Sequence, residues 1–137
     1  MLKKLKYQTS GDGCEVIDVT GDIQDLVSQS SVQEGLVAVC VPGSTASIST
    51  TEFEPNTVVD IKNLFEKVIP DAQDYQHNKT WGDGNGFSHL RATLLGPSQS
   101  FAIAKGQVLT GSWQQIVLID FDNKAKTREV IVKIIKG

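Results

Sequence analysis

Apolar residues recur along this chain with two different periods, and the change from one period to the other marks out its elements. Leu2 to Thr9 alternates as a strand does, and Gly11-Asp12-Gly13 predicts a turn that returns Glu15 to Val19 as the antiparallel partner in an opening hairpin. Thr20 or Asp22 is placed to cap a helix carrying Ile23, Leu26 and Val27 on one face, with Gly35 to end it. Leu36 to Val41 is nearly all apolar, which predicts a strand covered on both faces, and Pro42-Gly43 breaks it before the polar segment Ser44 to Thr51. From Asn56 or Thr57, a second helix is predicted by Val58, Ile61, Phe65 and Val68, widened by Leu64 and Ile69 and closed by Pro70.

Asp71 to Ser88 has no apolar period and reads as a long irregular loop of the kind that often carries function. His89 to Leu95 predicts a short third helix ended by Gly96-Pro97. Strands are then expected at Ser100 to Ala104, Gln107 to Leu109, Trp113 to Asp120 and Arg128 to Ile135, the last two joined by a turn at Asp122-Asn123-Lys124. Strands cluster without regular strand–helix alternation. The expectation is therefore an α+β fold, one compact domain over residues 1–137, with mostly antiparallel or mixed sheet layers, two main helices and the short third one.

Composition narrows the partners. The 137 residues include 13 Lys+Arg and 16 Asp+Glu, a formal charge of −3, which speaks against phosphate-driven binding of a nucleic-acid duplex. A chain of this length buries roughly 68% of its unfolded surface, enough for a core without metal or disulfide staples. Cys14 and Cys40 form no framework and read as reduced. No stretch approaches the ~18 apolar residues of a membrane span, and the basic start Met1 to Lys6 lacks a signal-peptide core. A cytoplasmic chain with no nucleic-acid or membrane partner is expected.

Candidate chemistry gathers around the only two histidines, His77 and His89, twelve residues apart and flanking a polar, glycine-rich stretch. The spacing fits no compact zinc motif, though a loop can bring distant imidazoles together around a divalent ion; imidazole equally serves structural hydrogen bonds. Glu52, Asp60 and Asp83 are available as oxygen ligands or as solvated surface acids. Gly82-Asp83-Gly84-Asn85-Gly86 suits an anion cradle or a plain flexible loop, and lacks the ending of a Walker loop. Ser44 and Thr45, directly after a buried strand, suit contacts to phosphate or to turn backbone. Ser44, Ser88 and Ser98 offer hydroxyls for a Ser-His-acid hydrolase, but Gly43-Ser44 lacks a nucleophile elbow. A metal-dependent hydrolase would need at least three convergent ligands.

In combination these words are more specific. PGSTA, Glu52, Asp60, YQHN, the stretch Asn85 to His89 followed by LRATLLGPS, Gly106, TGSWQQI and a closing strand with Arg128 together resemble the YjbQ family over about residues 5 to 136. The resemblance implies a small α+β domain assembling as a homotrimer with polar pockets near subunit boundaries. Some members supply weak thiamine-phosphate synthase activity, joining a pyrimidine-methyl pyrophosphate to a thiazole phosphate. His77, Asn85, His89, Ser98, Trp113, Gln114 and Arg128 fall where family members resemble one another. The implied site has His77, His89, Arg128 and Asp60 as catalytic residues and Ser44, Thr45, Asn85, Ser98, Trp113 and Gln114 on the substrate. A divalent ion, zinc or magnesium, would be held by His77 or His89 with Glu52 or Asp60. Two departures stand out: Gly43-Ser44-Thr45-Ala46 where many members have His-Thr-Thr-Ala, and Thr51-Glu52 where they have Asn-Glu. The alternative is a non-catalytic homotrimer that binds a metal ion or a small anionic metabolite. The final strand, Val130 to Ile135, is apolar on both faces and so also asks for a second cover.

Overall fold

The computed structural model describes all residues, Met1–Gly137. In chain order the elements are β1 (Leu2–Gln8), β2 (Glu15–Asp18), α1 (Thr20–Ser30), β3 (Glu34–Cys40), β4 (Ala46–Thr51), α2 (Pro55–Val68), α3 (Gln76–Trp81), α4 (Gly86–Leu95), β5 (Ser98–Ala104), β6 (Gln107–Val108), β7 (Gln115–Asp120) and β8 (Thr127–Lys136). The strands form a five-stranded sheet, β1-β8-β3-β5-β6, and a three-stranded sheet, β2-β7-β4, antiparallel throughout. No helix is long and apolar enough to cross a membrane.

β7 explains the layering. Its sequence, Gln-Ile-Val-Leu-Ile-Asp, is apolar at every central position because both of its faces are buried. Ile116 and Leu118 pack toward Val37, Val39, Val130 and Val132 of the larger sheet and Ile23 and Val27 of α1. Val117 and Ile119 point the other way, with Phe65 of α2, Ala92 of α4 and Phe121. The small sheet is thus the middle layer of a sheet–sheet–helix stack. In β4 the two faces read Ile48 toward the first core and Ser47 toward the helices, where its hydroxyl donates to the Ala92 carbonyl at 3.1 Å.

Several expectations are corrected. β1 and β2 do not form a hairpin: β1 pairs with β8 and β2 with β7. The link between them instead runs beside the β7–β8 connection, with the Thr9 N–H donating to Lys126 and the Gly13 N–H to Asp122, so it carries the chain from one sheet to the other. Gly35 does not end α1. Ser31, left-handed at φ 59°, does, while Gly35 lies in β3 where a Cβ would overlap the Ile135 carbonyl oxygen. The polar segment Ser44 to Thr51 forms a strand, β4, from Ala46 onward, its Thr and Ile residues suiting that conformation. α2 begins at Pro55, because the Glu54 carboxylate accepts from the N–H groups of Asn56 and Thr57, both at 2.9 Å. Four helices replace the expected three, since Asp71 to Ser88 contains α3 and the first turn of α4. β3 is covered on one face only: Val37 and Val39 point inward, while Leu36 is 51% exposed. On that open face the register sets Leu36 opposite Ile135 and Ala102, and Cys40 opposite Ile131.

Candidate functional site

The two histidines meet. Gly82 ends α3 in the left-handed conformation and Asn85 precedes α4, so the chain reverses between the helices and sets the His77 and His89 rings 4.3 Å apart between centroids, tilted by 42°. Burial, followed by the neighbouring imidazole of His77, holds the His89 pKa below the ordinary histidine value; Asp122, Asp83 and the Ser44 backbone pull the other way. His89 is consequently a neutral imidazole at neutral pH.

Four polar atoms in this segment are buried without a hydrogen-bond partner: His77 Nδ1, Asp83 Oδ1, Asn85 Oδ1 and Ser88 Oγ. His77 Nδ1 and Asp83 Oδ1 stand 4.0 Å apart, too far for a hydrogen bond. Buried polar atoms without partners cost about 1–3 kcal/mol each, so their concentration in one segment is a mark of a functional region.

His89 also borders two pockets. On one side a lobe of about 310 Å³ is lined by Gly43, Ser44, Ala46, Ala92, Thr93 and Pro97. On the other, a lobe of about 390 Å³ is lined by Tyr75, Gln76, His77, Gly86 and Leu90. A smaller groove of about 200 Å³, remote from the imidazoles, lies among β4, α2 and α4.

Behind the Gly43–Ser44 turn is a buried charge network. Arg128 donates from Nε to Asp120 Oδ2 at 2.7 Å and from Nη2 to Thr45 Oγ1 at 2.6 Å. The Thr45 hydroxyl donates to Asp122 Oδ2 at 2.9 Å, and Lys126 pairs with the same carboxylate. Burial alone would raise the Asp122 pKa, but Lys126, the Thr45 hydroxyl and the Asn123 N–H hold it down to about 2. Asp120, Asp122 and Lys126 were not legible as site residues. Their one signal is the Asp-Phe-Asp word at the end of an apolar strand, which leaves two carboxylates at a sheet end where they need hydrogen-bond donors or cations.

The remaining expected residues are scattered. Ser44 lines the smaller lobe, whereas Thr45 is turned into the charge network. Asn85 is buried at the start of α4. Ser98 opens β5, opposite Cys40 on the uncovered face of the larger sheet. Trp113 is 78% exposed ahead of β7, and Gln114 beside it bonds Gly111 and Thr50. Glu52 and Asp60 are exposed and line neither lobe. No set of three His, Cys, Asp or Glu side chains able to hold a metal ion forms in the chain. Two imidazoles are too few for a zinc site, so the residues of one chain do not by themselves fit a zinc ion.

Comparison with known proteins agrees with this architecture. The family model described as UPF0047 protein YjbQ-like matches residues 3–137. A UPF0047 protein of Methanocaldococcus jannaschii is 35% identical over 136 residues, covering 98% of this chain and 94% of its own. One of Archaeoglobus fulgidus is 36% identical over 119 residues, covering 87% and 90%. Among solved structures, an uncharacterised YjbQ/UPF0047 protein of Clostridium acetobutylicum superposes with a TM-score of 0.88 at 34% identity, over 97% of this chain and 99% of that one. A YbjQ-like protein of unknown function from Sulfolobus solfataricus also gives 0.88, at 26% identity and 100% coverage of both chains.

Proposed function

This chain belongs to the YjbQ (UPF0047) family, and on that premise we propose that it is a cytoplasmic transferase of the thiamine-phosphate synthase type, joining a pyrimidine-methyl pyrophosphate to a thiazole phosphate. The observation that carries the reading is that His89 borders two pockets, of about 310 and 390 Å³, one for each of two substrates. The thiazole ring nitrogen attacks the pyrimidine methylene carbon as its bond to pyrophosphate breaks. The electron-rich pyrimidine itself supports the cationic carbon, so no covalent nucleophile is required.

The protein's part is orientation and charge. The larger lobe, walled by Tyr75, His77, His89 and Leu90, suits a flat heteroaromatic ring. The smaller lobe has the Ser44 hydroxyl and, behind Gly43, the Arg128 guanidinium for phosphate oxygens. A neutral His89 between the lobes accepts or donates a hydrogen bond without repelling the cationic carbon. Glu52 and Asp60 are assigned no step.

Purified protein incubated with both precursors should release pyrophosphate and form thiamine phosphate, with His77→Ala and His89→Ala each reducing the rate at least tenfold. Turnover that survives both substitutions would remove the imidazoles from the mechanism. A second reading, a non-catalytic module for an anionic metabolite, is favoured by Gly43, where the family resemblance leads one to expect an imidazole. Thermal stabilisation by either precursor without product would select it.

Assembly as a homotrimer is part of the proposal. The face of the larger sheet bearing Leu36, Ala102, Ile131 and Ile135 is uncovered, and an apolar sheet face of this kind needs a cover. Sedimentation equilibrium should give three times the chain mass of 14.9 kDa; a monomer at micromolar concentration would refute it.

A further inference from the structure

We propose that Gly43 is a specificity-determining residue of the cleft: by carrying no side chain, it opens one edge of the Arg128 guanidinium to a tetrahedral oxyanion, the phosphate group of the ligand. Arg128 is held in a fixed orientation. Nε is bonded to Asp120 and Nη2 to Thr45, which fixes the plane of the guanidinium, while Nη1 makes no hydrogen bond within the chain. Beyond the chain neighbours Pro42 and Ser44, Nη1 is also the one atom within 4 Å of the point where a Cβ on Gly43 would stand, 3.0 Å from it. Apart from the two chain neighbours nothing else lies within 4 Å of that point, and Gly43 itself lines the smaller lobe with Arg128 set behind it.

The backbone at Gly43 has φ +151°, a conformation that side-chain-bearing residues rarely adopt. Any side chain there would strain the turn and fill the approach to the guanidinium. A guanidinium with two nitrogens already committed and the third facing a lobe is a preorganised donor: it stays charged at all relevant pH and loses little freedom when an anion arrives. No carboxylate lines the lobe. Asp120 and Asp122 direct their oxygens to Arg128 Nε, Thr45, Lys126 and the N–H groups of Asp122 and Asn123, so an entering anion meets the donor edge rather than the acids.

This inference rests on the reading of the cleft as a site for a phosphorylated ligand, and phosphate binding rather than turnover decides it, so that each can fail without the other. The chain has two arginines, Arg91 and Arg128. Titrating inorganic phosphate, and in a second arm pyrophosphate, into nitrogen-15-labelled wild-type protein should move the Nε–H resonance of Arg128. The Nε–H of Arg91, bonded to the Ile69 carbonyl, should stay in place. Tighter binding of pyrophosphate would identify a diphosphate end in this lobe, and tighter binding of phosphate a monoester. Gly43→Ala should weaken the preferred anion about ten- to hundredfold, the worth of one hydrogen bond to a charged group. An Arg128 resonance unmoved at about 10 mM of both anions, or a folded Gly43→Ala variant that binds within twofold of wild type, would overturn the proposal. Should the variant fail to fold, the wild-type titration alone decides.

Discussion

Replacing Asp120 by Asn tests the buried network that holds Arg128 beside the cleft. The carboxylate is 1% exposed and its partner 6%, so the pair sits where water screens it little. Removing one member of a buried pair costs about 3–5 kcal/mol, because the other charge stays behind unpaired. Two features reduce that figure here. Arg128 keeps its bond to Thr45 and has Asp122 at 3.8 Å, and Asn retains an oxygen for the Asp122 N–H now bonded at 2.9 Å. The expected loss is therefore about 3 kcal/mol, roughly two decades in the folding equilibrium. Using the entropy of unfolding typical for a chain of this length, that corresponds to a fall in Tm of about 10 °C. Urea unfolding followed by far-ultraviolet circular dichroism is the suitable assay, since both tryptophans are exposed and report poorly on the core. A loss below about 1 kcal/mol would refute the buried pair as described. The double replacement Asp120→Leu with Arg128→Met should be less destabilised than Asp120→Leu alone, since it leaves no orphaned charge.

Other expectations follow from the same geometry. Asp122, held down to about 2 in the fold against about 3.9 when unfolded, contributes about 2 kcal/mol. A depressed carboxylate adds stability above its unfolded pKa and loses it as the pH falls through the folded one, so Asp122→Asn should flatten the stability profile between about pH 4 and pH 2; an unchanged slope there would contradict the assignment. Gly35→Ala should cost at least about 3 kcal/mol in thermal or urea unfolding, because its Cβ meets the Ile135 carbonyl in the partner strand, and an alanine variant as stable as wild type would show that the β3–β8 pairing gives way easily. His89 should titrate below the ordinary histidine range in proton NMR, its protonation opposing folding as the pH falls; a value above that range would mean that Asp122 and Asp83 outweigh burial.

What the sequence revealed depended on how local each feature is. α2 was legible because its stripe, Val58, Ile61, Phe65 and Val68, follows the helical period along one continuous segment. β7 was legible as a strand because burial on both faces demands an unbroken apolar run. Pairing partners are not local: β1 and β2 have the pattern of a hairpin, yet each finds its partner more than ninety residues away in β8 and β7. α3 is not legible because no residue in it is buried, so it leaves no apolar period to read. α4 was only half seen for a related reason, since its buried face mixes Phe87 and Ala92 with Ser88 and Arg91. At the candidate site, composition drew attention to His77 and His89, which do meet; Glu52 and Asp60 were equally plausible by type, but lie outside both lobes. The network of Asp120, Asp122, Lys126 and Arg128 joins a strand end, a turn and another strand, and no single segment announces it.

The most direct measurement of the central claim, that the cleft around the two imidazoles receives a phosphorylated heteroaromatic ligand, is a titration of the thiazole phosphate observed through the ring nitrogens of His77 and His89. With only two histidines, both are resolved and assignable by single substitution. Both should shift along one saturable curve. Ligand binding, measured by calorimetry on the same sample, that leaves both imidazoles unmoved would place the site elsewhere, and no binding at millimolar concentration would remove it.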